Sequence, residues 1–127
     1  MRILLDTHVF IWAVTDSRRL RAPARALLSG ADEVWVSAAS IWEIAIKARI
    51  GKIAGDATAL SHAIGQSGFR ELPVSARHAA GVATLPLHHG DPFDRLLLAQ
   101  AACEPLQLVT ADSALAAYGP IVNLIDA

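Results

Sequence analysis

The chain has 127 residues, enough for one domain with a real core and too few for a multidomain machine. Eleven Lys and Arg stand against 12 Asp and Glu, a net charge of −1, so no chain-wide basic field exists to hold nucleic acid or anionic lipid, and any polyanion must be held locally. Apolar residues make up 54% of the sequence, which excludes disorder and leaves apolar surface over for a partner.

The first stretch, Met1 to Val14, is apolar, but Asp6 and His8 interrupt it where a secretion signal is uniformly greasy. No run reaches the ~18 uncharged apolar residues that a membrane span needs. A single cysteine, Cys103, rules out a disulfide framework. A cytoplasmic location with no membrane partner is therefore expected.

In chain order, residues 2–5 form a short apolar run that predicts a buried strand, followed by helical patterns near 8–14 and 22–29. A second strand is predicted at 33–36, with helices near 38–50 and 57–66. The third strand, 69–72, precedes helices near 76–84 and 93–103. Strands at 106–109 and 121–124 flank a last helix near 112–118. Ser37 and Ser75 suit N-caps, Gly51 and Gly119 suit helix ends, and Asp91-Pro92 suits a cap followed by Pro in the first turn. The alternation predicts a single α/β domain over 1–127, a five-stranded parallel sheet between two layers of helices.

Four carboxylates lie in or against apolar sequence: Asp6, Glu43, Asp94 and Asp112. Burying an unpaired carboxylate costs several kcal/mol, so something must compensate for it. Asp6 and Asp112 each follow a predicted strand and so emerge at the carboxyl edge of a parallel sheet, where open α/β sheets place their ligands. Asp94 starts a helix, and Glu43 lies within the helix after the second strand. Each also has a plainer reading. Asp6 and Asp112 can cap the helices that follow, and Asp94 can complement a helix dipole. Glu43 can close a capping box from Ser40 or pair with Lys47 at i+4. Gathered together, the four need cations among them, and oxygen ligands select Mg²⁺ or Mn²⁺. Such ions activate water against a phosphodiester without a Ser, Cys or His nucleophile.

At these residues the chain resembles a PIN domain and, more narrowly, the toxin component of a VapBC-type toxin–antitoxin pair. The segments that carry the resemblance are Leu4-Leu5-Asp6-Thr7-His8-Val9, Val36 to Lys47 with Gly51-Lys52, Asp91-Pro92-Phe93-Asp94-Arg95 running to Ala101, and Val109-Thr110-Ala111-Asp112. The resemblance implies divalent-metal-dependent endonucleolytic cleavage of RNA. Asp6, Glu43, Asp94 and Asp112 would be the catalytic metal ligands, with the Thr110 hydroxyl supporting them from behind. It also implies a homodimer and a VapB-type antitoxin lying across the surface.

Lys47 and Arg95 are the expected contacts to the RNA backbone, although Arg95 can instead pair with Asp91. Asp91 itself stands between helix cap and metal ligand. Two groups of basic residues cluster in the sequence, Arg18, Arg19, Arg21 and Arg25, and Lys47, Arg49 and Lys52. The histidines show no metal-ligand spacing: His8 reads as structural more than as a group that orients the site or touches RNA, His88 and His89 as a solvated loop more than as a flank of the cleft, and His62 and His78 as surface. Trp12, Trp35 and Trp42 read as core or interface. The third helix is apolar nearly all round, so it is either deeply buried or packed on another chain. Two other readings compete: a non-catalytic PIN-like binding module, and a phosphoacceptor signalling domain. The second wants a lysine after the last strand, and none occurs in 121–127.

Overall fold

The computed structural model describes residues 1–127. Five strands form one sheet: β1 (Arg2–Leu5), β2 (Glu33–Ser37), β3 (Arg70–Leu72), β4 (Gln107–Thr110) and β5 (Val122–Leu124). They run in the order β3-β2-β1-β4-β5, and every neighbouring pair is parallel. Six α-helices connect them: α1 (Thr7–Val14), α2 (Ala22–Gly30), α3 (Ala38–Arg49), α4 (Ala57–Gln66), α5 (Ala76–Gly81) and α6 (Pro92–Cys103). The five-stranded α/β fold expected from the sequence is the one observed.

The central strands lack alternation because both their faces are covered. Ile3, Leu4 and Leu5 are all fully buried. Ile3 and Leu5 join Val9, Phe10, Val36, Ile44 and Val109 in a core under α1 to α4. Leu4 points the other way, to Leu97, Leu98, Leu108 and Leu115 under α6. Each such burial contributes about 1.5–3 kcal/mol.

In register, Leu4 sits between Trp35 of β2 and Leu108 of β4. From β1 the chain winds outward through β2 to β3, whereas β4 leads to β5 on the opposite side. The carboxyl ends of β1 and β4 therefore flank the point where the winding reverses, and a crevice opens there. The Asp6 amide donates to the Val109 carbonyl (3.0 Å), which ties the two strand ends together above the last ladder pair.

Several elements differ from the sequence reading. The helix expected at 76–84 is α5 followed by a 3₁₀ turn, Val82–Thr84. The helix expected at 112–118 is a 3₁₀ stretch, Ser113–Ile121, broken at Gly119, whose φ of +85° only glycine takes without strain. His78 is buried, not at the surface. It fills the third position of a capping box, its Nδ1 accepting from the Ser75 amide, while Nε2 meets Glu104. Trp42 is 60% exposed and lies outside the core, its ring edge-on to Phe93 at 5.2 Å. On the same outward stripe of α3, at i+4 and i+8, Ile46 and Ile50 are also exposed. The helix is thus buried on one face only. No helix of the chain is long and apolar enough to cross a membrane.

Candidate active site

The chain turns from strand to helix at each end of the crevice, and an aspartate makes each turn. Asp6 caps α1, its Oδ1 accepting from the Val9 amide at 2.8 Å. Asp112 caps the 3₁₀ stretch after β4 through the Ala114 amide at 3.0 Å. Asp91 caps α6 through the Phe93 and Asp94 amides, with Pro92 in the first turn, and so sets the direction in which Asp94 leaves the helix. Capping and site-building are here the same act, since each cap fixes an acid at the crevice.

Glu43 enters from α3. That helix begins at Ser37, three residues before Ser40, so the capping box expected from Ser40 and Glu43 does not form. The i+4 pair with Lys47 does, at 2.6 Å. The other Glu43 oxygen accepts from the Thr7 hydroxyl at 2.5 Å.

Asp6, Glu43, Asp94 and Asp112 all line one cleft of about 250 Å³, together with Thr7, His8, Lys47, His89 and Asp91. None of its lining residues is apolar. Thr110 lies fully buried behind it. Its hydroxyl donates to Asp6 Oδ2 (2.5 Å) and accepts from the Asp112 amide (3.1 Å), which locks the two aspartates of the neighbouring strands into one unit.

The acids are electrostatically uncomfortable as they stand. Burial pushes the Asp6 carboxyl up from 3.8 to about 6 against the hydrogen bonds from Thr110 and Val9, with the charges of Glu43 and Asp112 adding to the rise. Burial followed by the charge of Asp91 lifts Asp94 to about 6 as well. Lys47 is held above its ordinary value, first by its hydrogen bond to Glu43, with Asp91 and Asp94 contributing. A single ammonium therefore faces several carboxylates. Oxygen donors, crowding and uncompensated negative charge together fit a small divalent cation. Asp94, Asp112 and His89 already bring one donor atom each within 4.8 Å of one another.

His89 takes the less favoured of its two sequence readings: it flanks the cleft and is not a solvated loop residue, its Nε2 lying 2.9 Å from Asp94 Oδ2 with only a fifth of the side chain exposed. No spacing rule marks it, because its place depends on how the segment before α6 folds back.

Arg95 controls that segment, which corrects its expected contact with RNA. The side chain is buried and turned from the cleft. Its guanidinium donates to the carbonyls of Val82, Leu85, Pro86 and His89 and to the Tyr118 hydroxyl. All five contacts come from the two terminal nitrogens of the planar fork, a geometry that suits such a cage. Replacing Arg95 by Met strands these carbonyls and is expected to lower unfolding stability by about 2–4 kcal/mol. Urea melts check this, and a loss below about 1 kcal/mol would show that the cage is not formed.

Beside the acids, Arg19 lies 4.8 Å over the ring of Trp12, and both border a second hollow shared with Asp6, His8, Ala111 and Asp112. Arg25 is spent on structure, bonding Asp16 and the carbonyls of Ser17 and Leu20.

The chain is similar to several known proteins. A family model described as PIN domain matches residues 3–119. Ribonuclease VapC22 of Mycobacterium tuberculosis (strain ATCC 25618 / H37Rv) is 33% identical over 119 residues, covering 91% of this chain and 91% of that protein. Among solved structures, VapBC2 from Rickettsia felis, bound to a DNA fragment from their promoter, aligns with a TM-score of 0.70 at 17% identity over 99% of this chain and 100% of that one. A toxin–antitoxin complex from Klebsiella pneumoniae aligns with a TM-score of 0.66 at 20% identity, covering 95% of each chain. At these identities the structures speak for the fold alone, and the family rests on the model match and the ribonuclease: the chain belongs to the PIN domain family.

Proposed function

We propose that this chain is a VapC-type toxin, an endoribonuclease that cuts RNA with Mg²⁺ or Mn²⁺ held by Asp6, Glu43, Asp94 and Asp112. The observation that carries the reading is the convergence of these four acids in one wholly polar cleft, two of them with carboxyls lifted to about 6. The ribonuclease relative and the toxin–antitoxin neighbours agree with it.

Bound in the cleft, a divalent cation would supply an activated water and neutralise the departing oxyanion. The protein's own part is placement. Thr110 and the Val9 amide fix both oxygens of Asp6. Asp94 is aimed by the Asp91 cap. Glu43 is steadied by Thr7 and neutralised by Lys47, whose ammonium lies in the cleft wall where an RNA phosphate would meet it. Arg19 on Trp12 offers a flanking cationic and aromatic shoulder for the strand.

The exposed stripe Trp42, Ile46 and Ile50 supports an apolar partner, either the antitoxin or a second copy in a homodimer. Purified protein freed of antitoxin is expected to cleave RNA with Mg²⁺ or Mn²⁺, to stop on addition of EDTA and to resume when the metal is restored. RNA bound but left intact under these conditions would favour the non-catalytic binding module.

A further inference from the structure

We propose that His89 is a nitrogen ligand to the divalent cation, so that the site holds a mixed nitrogen and oxygen donor set with Asp94 and Asp112. The inference rests on the metal-dependent reading above and adds to the four acids a residue they do not include.

His89 Nε2 and Asp94 Oδ2 are 2.9 Å apart, close to the separation of two adjacent donors about 2.1 Å from a shared ion. All three donor atoms fall within 4.8 Å of one another, little more than the ~4.2 Å between opposite ligands of such an ion. The ring is mostly buried, and it reaches the cleft from a segment that carries no other side chain into it before Asp91. That segment is not free to swing away. The buried Arg95 guanidinium holds the carbonyls of Val82, Leu85, Pro86 and His89 itself. Tyr118 donates to Pro86 as well (2.9 Å). A loop clamped from beneath, with its imidazole laid against a metal-binding aspartate, is the arrangement of a ligand set in advance.

The consequence is a metal preference. Imidazole adds affinity for Mn²⁺ and the later transition metals and little for Mg²⁺, which keeps to hard oxygen donors and water. The wild-type site should therefore favour Mn²⁺ over Mg²⁺ by a margin that His89 supplies.

Two measurements test this on the full-length protein freed of antitoxin. Pulsed EPR of the Mn²⁺-loaded protein, grown with ¹⁵N-histidine, is expected to show hyperfine coupling to a directly bound nitrogen that vanishes in His89→Gln and survives in His8→Gln. Titration calorimetry is expected to show the Mn²⁺-to-Mg²⁺ affinity ratio falling by at least about tenfold in His89→Gln. Manganese that binds the wild type without nitrogen coupling, or with coupling lost only in His8→Gln, overturns the assignment and leaves the four-acid site standing. No manganese uptake at all overturns both.

Discussion

Replacing Asp6 by Asn is expected to reduce RNA cleavage by at least about 10³-fold, because several kcal/mol of charge stabilisation leave with the carboxylate. The same change is expected to make the metal-free protein more stable at neutral pH. Folding raises this carboxyl from 3.8 to about 6, so the folded state binds the proton more tightly than the unfolded state. The contribution to stability is then complete below pH 3.8 and lost as pH rises through 6, a loss of about 3 kcal/mol by pH 7.5 relative to acid. Asn removes that charge while keeping the shape. Its oxygen can still accept from Val9, and the Thr110 hydroxyl can turn to accept from its amide. Allowing for imperfect bonds, Asp6→Asn should gain about 1–3 kcal/mol at pH 7.5 and nothing near pH 4 in urea melts followed at both pH values. An Asp6→Asn protein that cleaves RNA normally, or that is destabilised at pH 7.5, contradicts the reading of Asp6 as a metal-binding carboxylate held against its preference.

Metal affinity is expected to depend steeply on pH for the same reason. A protonated Asp6 or Asp94 cannot ligate a cation, and both carboxyls sit near 6. Binding must therefore displace protons below pH 6, and the apparent Mn²⁺ affinity should fall by up to about 100-fold for each pH unit there, flattening above pH 7. At pH 6 calorimetry in buffers of different ionisation heat should count at least about one proton released per ion bound, the share of the two carboxyls. Asp94→Asn should make the dependence shallower by up to about tenfold per pH unit. An affinity independent of pH between 5 and 7 would mean that neither carboxyl meets the metal.

The trade of stability for a charged cleft explains which parts of the molecule can be read from the chain. The strands are legible because Ile3, Leu4 and Leu5 must be apolar on both sides of a covered sheet, and the acids are legible because they break that rule. Element ends are less so. Phe69 and Leu106 look like strand residues but lie just outside β3 and β4, since the ladder and not hydrophobicity sets where pairing starts. The phase of α3 is hidden as well. An apolar helix gives no sign of which stripe faces the sheet, and it is Glu43 and Ile44 that turn inward while Trp42, Ile46 and Ile50 turn out. His78 is unreadable for a different reason, being a histidine where a capping box ordinarily has Glu or Gln. His89 and Arg95 depend on a fold-back of 82–91 that no local pattern encodes, so from sequence one looks solvated and the other looks like an RNA contact, and the structure corrects both.

Crowded acids tolerated for the sake of a cation are the core of this reading, and diffraction at the manganese edge from crystals soaked in Mn²⁺ tests it most directly. The expected result is an anomalous peak inside the cleft, within coordination distance of Asp94 and Asp112 and surrounded by Asp6 and Glu43. A peak elsewhere on the surface, or none at millimolar manganese near pH 7.5, would contradict it.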